Sequence, residues 1–600
     1  MHALLDPRHI AFVLDEVLHV EHLLALPAFA AHDRQSIDQI LDAAEKLAKS
    51  AFLPCHAHLD ANEPRLENGR VVLPGEIETA LAAFRDGGFL GMAADPADGG
   101  LGLPRMVANA VFLWFQAANV SIANYALLTN SAVELLAHHA TPEQKQRYLA
   151  PMLEGRAMGT MALSEPQAGS SLGDIATIAR ALPDGRYAIR GTKMWISGGE
   201  HDMAENIVHL MLARIEGAPP GVKGLSLFIV PRRRVDATGG PGEWNNIAIA
   251  GLNHKLGQRG TVNTILNVGE GGDSIGEIIG APGQGLACMF TMMNEARIGV
   301  SMGAVAHASA GYLHSLAYAR ERVQGRHPDN KDPTSPQMRL IEHADVRRML
   351  LQQKAAAEGG IAMGLLLAKF ADLKKAAATA KDREEASLLL DFLTPVLKAW
   401  ISEESLAANY NAIQLLGGAG YTRDHPVEQH YRDNRLNPIH EGTNGIQAID
   451  LLGRKVVMAE GRAIRLFIDE VQASLSPLAS GDIDPWLVAK VRTLVWHVEQ
   501  ALRLLTAVRA SRGLRPALAL ANDFMELVGA TAFAWIWVVQ ARAAARVLAG
   551  TTLYDADLLQ GKIATCAFVM AHVAPRGLAA ADRIRMGGDG AFAMPDERFG

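Results

Sequence analysis

Over residues 36–160 apolar side chains recur every three or four positions, which predicts helices with one buried face. "SIDQILDAAEKLAKSAF" opens on Ser36, a residue type that caps helices. "TPEQKQRYLAPMLEG" supplies a capping Thr141, a first-turn Pro142 and a closing Gly155. Near residue 161 the character of the sequence changes. "RYAIRGTKMWISGG", "NIVHLMLARI", "GLSLFIVPR" and "NTILNV" are β-rich runs parted by Gly, Pro and Asp turns, and they predict a compact β domain over 161–285. Beyond "GAPGQG" the pattern is helical again. "MFTMMNEARIGVSMGAVAHASAGYLHSLAYARERVQG" runs about 37 residues without proline, roughly 55 Å of helix, a length suited to a bundle. "PWLVAKVRTLVWHVEQALRLLTAVRA" and "FMELVGATAFAWIWVVQARAAARVLAG" predict a further helical region from about 465, packed on the bundle and lengthening a subunit interface. "PDNKDPTSPQ" (328–337) is the clearest loop.

Six hundred residues exceed one hydrophobic core, so two to four domains are expected. A formal charge of −7 is small for this length and supplies no basic field for nucleic acid. Three widely spaced cysteines point to a reducing, cytoplasmic setting. "CHAH" (55–58) reads as charged surface rather than a metal cluster, and no metal is expected. The first 24 residues are interrupted by acids, unlike a signal peptide or anchor, and no uncharged apolar run of about 18 residues is found, so a soluble chain without a membrane partner is expected. "RRR" (232–234) reads as a solvated turn after a strand. Neither a strand-linked GxGxxG nor a GxxxxGK[ST] loop is present; "GDGAFA" (588–593) follows an Arg-rich helical stretch and is discounted.

"NPIHEGTNGIQAIDLLGRKV" (437–456) sets a single carboxylate, Glu441, at a Gly-Thr-Asn turn ahead of an amphipathic stretch. Helix N-termini favour acids electrostatically, so capping is one reading; removal of a proton from a bound molecule is the other. Three more polar clusters stand out: "MALSEPQAGSSLGDI" (161–175), "KMWISGGEHDMAENI" (193–207) and "IQLLGGAGYTRDHPVEQHYRDNRL" (413–436). Each alone reads as a turn.

Taken in order, "LSEPQAGSS", "MWISGG", "NEARIG", "QLLGGAGYTRDHPVEQHYRD" and "IHEGTN" resemble the acyl-CoA dehydrogenase flavoenzymes over roughly 36–460, "HEGTN" being the most specific. The long N-terminal segment, "GGEHDMAENIVHLMLARI", "ACMFTMMNEARIGV" and the extra C-terminal helices resemble that family's large branch, which includes 3-methylmercaptopropionyl-CoA dehydrogenases and broad-range enzymes. The resemblance implies an α+β multidomain fold: an N-terminal extension (1–35), an α-helical domain (36–160), a central β-barrel-like domain (161–285), a four-helix bundle (286–460) and an additional C-terminal helical domain (461–600).

It also implies chemistry. Glu441 would take the α proton of an acyl-CoA thioester while the β hydrogen leaves as hydride to N5 of FAD, giving a trans-2-enoyl-CoA in fatty-acid β-oxidation. The Glu441 amide and a flavin ribityl hydroxyl would stabilise the thioester oxygen. The family's other base position, just before the bundle-helix arginine, is Ala296 here, and Glu295 points about 100° away on a helix. For FAD, the matching residues are Ser164 at the pyrimidine edge, Trp195 beside the flavin, Ser197 near N5, Thr443, and Gln414, Gly417 and Gly418 at the adenine half and pyrophosphate. For substrate they are Ser170 and Arg297 on the CoA side, with Asn294 and Gly442. Gly445 and Gly325 stand where the family often has Gln and an aromatic residue.

Arg297 and Arg322 are 25 residues apart, almost seven helical turns, so they share a face about 38 Å apart. One bound cofactor does not span that distance, which predicts a dimer. The resemblance agrees: Arg322, with Gln324 nearby, matches the arginine that crosses to the partner's FAD pyrophosphate. The expected partners are therefore acyl-CoA, an electron-transfer flavoprotein and a second copy, as homodimer or dimer of dimers. Three alternatives remain: an acyl-CoA oxidase passing electrons to oxygen, a flavin monooxygenase, which normally lacks the glutamate, and a non-catalytic scaffold.

Overall fold

The computed structural model of the chain describes residues 3–476, 483–550, 554–588 and 590–600, and Asp589 of the "GDGAFA" stretch lies outside them. The chain forms two compact units, Gln35–Pro104 with Val111–Gly299, and Met1–Arg34 with Arg105–Ala110 and Val300–Gly600. Apart from Arg105–Ala110, the helical and β regions divided at residue 161 by the sequence pattern thus fall in one unit, and the helices beyond residue 299 in the other. A small hairpin, Arg65–Glu67 with Arg70–Val72, interrupts the helical region, and the first strand of the β region, Ala157–Ala162, starts ahead of the expected boundary.

In the unit of residues 35–299, Phe52, Phe84, Phe89, Phe112 and Phe115 interlock, the closest pair edge-on at 4.8 Å between ring centroids. Thr141 caps its helix as the sequence requires: its Oγ1 accepts from the Gln144 amide at 3.2 Å, and Gln144 Oε1 accepts from the Thr141 amide at 3.1 Å. The β pairings form a ring. Tyr187–Ser197 pairs with Ser274–Ile279, that strand with Leu225–Pro231, then Asn206–Ile215, then Ile178–Ala181, which returns to Tyr187–Ser197. Ile189, Met211, Phe228, Val230 and Leu266 fill one of its apolar cores. Asn263–Val268 and Ile247–Leu252 extend the sheet from Tyr187–Ser197, and Ala157–Ala162 joins Asn206–Ile215 in parallel.

Two surface expectations fail here. Arg232 is buried, its guanidinium bonded to Glu200 at 2.6 Å and to the carbonyl of His201, while Arg233–Val235 is a strand paired with Pro241–Trp244. The run is charged, but strand pairing and an internal carboxylate absorb it. Cys55 and His56 of "CHAH" are likewise buried. All three cysteines are buried free thiols.

The expected long helix is observed as Gly285–Glu321, 37 residues, and the chain passes from one unit to the other within it. Next come Ala344–Ala376, Ala380–Val396, a single π-helical turn Leu397–Ile401, and Ser402–Leu416. The terminal helices Pro485–Arg512, Ala521–Leu548, Ala556–His572 and Ala574–Met586 belong to the same unit. Glycines allow their close approach. A Cβ at Gly359 would come within 2.4 Å of Trp537, and one at Gly529 within 2.5 Å of Trp400.

Three helical segments, Arg105–His139, Ala521–Leu548 and Ala556–Met586, are long and apolar enough to cross a membrane. This corrects the expectation that no such run exists. Amides and hydroxyls interrupt the first without charging it, and the apolar windows of the first two are 89% buried in the protein. The third is 44% buried.

The N-terminal extension is fastened by a buried charge cluster. Lys562 donates to Glu358 Oε2 at 2.5 Å and to His9 Nδ1, His9 Nε2 lies 3.1 Å from the Glu358 carbonyl, and Lys354 pairs with the same carboxylate. Burial alone would raise the Glu358 pKa, but Lys562 and Lys354 hold it below the usual carboxylate range. Lys562→Met leaves a buried carboxylate undercompensated and should cost about 3 kcal/mol in urea unfolding; a change under about 0.5 kcal/mol contradicts this role.

His201 and His209 lie buried in the β domain, and burial, aided by Arg232, lowers both ring pKa values to about 3. Between that value and the ordinary 6.5 the unfolded chain binds more protons than the native one. Each histidine therefore contributes stability that is complete above the ordinary value and falls by about 1.4 kcal/mol per pH unit on acidification. Neither ring nitrogen of His201 has a hydrogen-bond partner among the described residues. His201→Phe should accordingly lose about 2–3 kcal/mol less than the parent between about pH 6 and pH 4, and an unchanged slope contradicts the assignment.

Candidate active site

In the β domain, Ser164, Trp195 and Ser197 are brought together. The Ser164 carbonyl accepts from the Met194 amide at 2.9 Å, which ties the 163–168 loop to strand Tyr187–Ser197. Against Asn263–Val268 the register slips between Thr264 and Leu266, so Met194 and Trp195 form a bulge. Trp195 takes φ = 65° there and is 57% exposed. A left-handed backbone costs a bulky residue about 1–2 kcal/mol, and burial of this ring returns little of it. Ser197 Oγ accepts from Asn263 Nδ2 at 3.0 Å.

Behind this loop lies a fully buried lysine. Lys193 Nζ donates to the carbonyls of Leu163 and Leu212 at 3.0 and 2.8 Å and to Glu165 Oε1 at 2.9 Å. Glu165 also accepts from the Ala176 and Thr177 amides and the Thr177 hydroxyl. Burial would raise its pKa, but Lys193 and these donors lower it. The pair anchors both ends of the Ser164–Trp195 arrangement.

Elsewhere in the same unit, Ser170 is exposed further along the loop. Arg297 is buried, its Nη1 donating to Asn294 Oδ1 at 3.4 Å and its guanidinium 5.9 Å from the Phe290 ring, so these two predicted residues meet and Arg297 is not a solvated helix charge. Ala296 is buried beside it.

In the other unit, Glu441, Gly442 and Thr443 form one turn. Glu441 and Gly442 are consecutive left-handed residues, φ 55° and 84°, and the Glu441 side chain is half-buried. Thr443 Oγ1 caps helix Asn444–Asp450 by accepting from the Ile446 amide at 3.3 Å. Gln447 Nε2 donates back to the Glu441 and Gly442 carbonyls at 2.9 and 3.3 Å. On the upstream side a ladder of buried amides leads to the turn. Asn409 Nδ2 donates to the His307 carbonyl, Asn434 Nδ2 to Asn409 Oδ1 and Asn437 Nδ2 to Asn434 Oδ1. His440 Nε2 then meets Asn437 Oδ1 at 3.1 Å. Glu441 is thus no simple helix cap: Thr443 performs that task.

Gln414, Gly417 and Gly418 cluster at a separate helix end, where Ser402–Leu416 stops at Gly417 with φ 61°. A Cβ on Gly417 or Gly418 would meet no atom within 4 Å, so this backbone is open to close approach. Arg322 and Gln324 sit in the exposed segment after Gly285–Glu321, closed by a bridge between Val323 and Arg339.

Sequence reasoning missed the supports: Lys193 with Glu165, the Asn409–Asn434–Asn437 ladder, Gln447 and Lys398. Lys398 is fully buried and donates to the Gly442 carbonyl at 2.8 Å. One signal was available for it, a solitary cation inside the apolar run "VLKAWI".

Residues 33–156, 160–266 and 283–456 match the N-terminal, middle and C-terminal domains of acyl-CoA dehydrogenases, and 467–595 match an acetyl-CoA dehydrogenase C-terminal-like domain. The 3-methylmercaptopropionyl-CoA dehydrogenase of Ruegeria pomeroyi is 37% identical over 92% of this chain and 94% of its own length. The broad-specificity linear acyl-CoA dehydrogenase FadE5 of Mycobacterium tuberculosis is 34% identical over 94% of each. The fold is shared with a Bacillus anthracis acyl-CoA dehydrogenase solved with FAD, at TM-score 0.75 and 18% identity over 98% of this chain and 93% of that one. It is also shared with Caenorhabditis elegans ACDH-11 solved with C11-CoA, at TM-score 0.72 and 19% identity over 94% and 90%. The chain belongs to the acyl-CoA dehydrogenase family.

Proposed function

We propose that the chain is an FAD-dependent dehydrogenase that converts an acyl-CoA thioester to the trans-2-enoyl-CoA, with Glu441 as the base. The carrying observation is the Glu441 turn, where a half-buried carboxylate is presented from two left-handed residues whose carbonyls are tied down by Gln447 and Lys398. A capping or surface glutamate needs no such apparatus.

The residues present fit FAD. Trp195 is a bulky ring left exposed at a strained bulge, suited to pack against a planar heterocycle. Gly417 and Gly418 offer bare backbone of the kind a diphosphate approaches. Ser164 and Ser197 would hold the ring edge, and Gln414 and Thr443 would add polar contacts. Bound FAD supplies the acceptor for the β hydrogen and its electron pair.

The chain's own residues do the rest. The Glu441 carboxylate takes the α proton, and the Glu441 amide donates to the thioester oxygen, where negative charge grows as that proton leaves. Buried Arg297, oriented by Asn294, and exposed Ser170 bind on the CoA side, with Gly442 beside the acyl group.

We read Gly285–Glu321, Ala344–Ala376 and the runs 380–416 and 444–455 as the four-helix bundle of this fold. Exposed Arg322 and Gln324 reach the cofactor of a second copy in a homodimer or dimer of dimers, which works in the cytoplasm and passes electrons to an electron-transfer flavoprotein.

Glu441→Gln should take up FAD and bind acyl-CoA as the parent does, while flavin reduction by substrate falls about 10²–10⁴-fold in stopped flow. Reduction at the parent rate contradicts the reading. An enzyme that releases peroxide under air and ignores electron-transfer flavoprotein would be an oxidase instead.

A further inference from the structure

Lys398 carries chemistry that space-filling does not explain. It follows Pro395, whose missing amide and ring disturb the helix, and it lies in a π-helical turn, Leu397–Ile401, the kind of irregularity that redirects side chains. Its side chain is fully buried, and a buried ammonium is expensive where Leu or Met would pack. Two of its donations go to one target. Nζ reaches the Gly442 carbonyl at 2.8 Å and Asn444 Oδ1 at 3.0 Å, the groups on either side of Thr443. Asn444 is itself anchored, its Nδ2 donating to Glu403 Oε1 at 2.7 Å and Ser402 Oγ at 3.1 Å.

The geometry points to Lys398 as the positioning residue for proton abstraction: its buried ammonium locks the Glu441–Gly442 turn, so that the carboxylate and the amide of Glu441 address one substrate. This rests on Glu441 being the base. Two successive left-handed residues are held only by what surrounds them, and the Lys398 and Gln447 side chains both bond carbonyls of this pair. Of these, the lysine makes the charge-assisted bond, which is the stronger kind. A neutral donor in its place loosens the turn, and a shift of about 1 Å in a reacting group costs about a hundredfold in rate.

The test uses the FAD-loaded enzyme and measures flavin content, the KM for acyl-CoA and the stopped-flow rate of flavin reduction. Lys398→Met should keep its flavin and a KM within about threefold, while the reduction rate falls about 100-fold. Lys398→Gln, which restores a donor without charge, should recover part of that loss. In a Glu441→Asp background, where the carboxylate is already displaced, Lys398→Met should cost less than about threefold more, because the two act as a unit. A parent-like reduction rate, a loss confined to KM or flavin content, or a full 100-fold loss in the Asp background each overturns the proposal. If Lys398→Met does not fold, Asn444→Ala removes one of the two acceptors; a reduction rate about tenfold lower supports the proposal, and an unchanged rate overturns it. Glu441→Gln that still reduces its flavin overturns the base assignment, whereas an inactive Glu441→Gln beside a parent-like Lys398→Met overturns only the positioning role.

Discussion

A peptide turn that puts two left-handed residues in succession, the first of them a glutamate, is unfavourable in isolation by about 1–2 kcal/mol at the non-glycine position. At Glu441–Gly442 that conformation is imposed from all sides. Gln447 and Lys398 hold the carbonyls, Thr443 turns the chain directly into a helix, and the asparagine ladder enters from upstream. The result is a carboxylate and an amide of the same residue, fixed relative to each other before any ligand arrives. Preorganisation of this kind spares a reaction the cost of ordering the groups that take part in it.

The β domain repeats the arrangement with different elements. Trp195 is also a non-glycine residue with positive φ, set by a bulge, and it too stands in front of a completely buried lysine that donates to backbone carbonyls. Lys193 donates to the Glu165 carboxylate, and Lys398 donates to the Gly442 carbonyl and the Asn444 side-chain oxygen. In both places a left-handed residue that is not fully buried stands in front of a buried lysine. Strain of this sort persists only where the surrounding contacts overdetermine it, and both positions are ones the family's motifs single out.

Much of this was readable in one dimension. The proline-free run predicted the helix Gly285–Glu321, and β-rich runs bounded by Gly, Pro and Asp turns marked the strands Tyr187–Ser197, Asn206–Ile215, Leu225–Pro231 and Asn263–Val268. Thr141 and Gln144 formed the expected cap because that motif is local. What escaped was tertiary. Arg232 reads as a surface charge until Glu200 is seen beside it, and Cys55 and His56 read as surface for the same reason. The uncharged stretch of Arg105–His139 carries enough amides and hydroxyls to disguise a helix of membrane-spanning hydropathy. Lys398 was invisible because periodicity assigns lysines to solvent, and only the fold shows this one pointing at the Glu441–Gly442 turn. The motif residues were found through resemblance; their supports share no short pattern and come from helices far apart in the chain.

The central claim is that Glu441 ionises the α carbon from this fixed turn, and exchange of that hydrogen isolates the step. A thioester with sulfur at the β position has no hydride to lose, so any exchange of its α hydrogens into D2O reports proton removal alone. Followed by mass spectrometry, the parent enzyme with FAD should exchange these hydrogens far faster than buffer, and Glu441→Gln should not exceed buffer. Equal exchange by both proteins would place the base elsewhere and contradict the account.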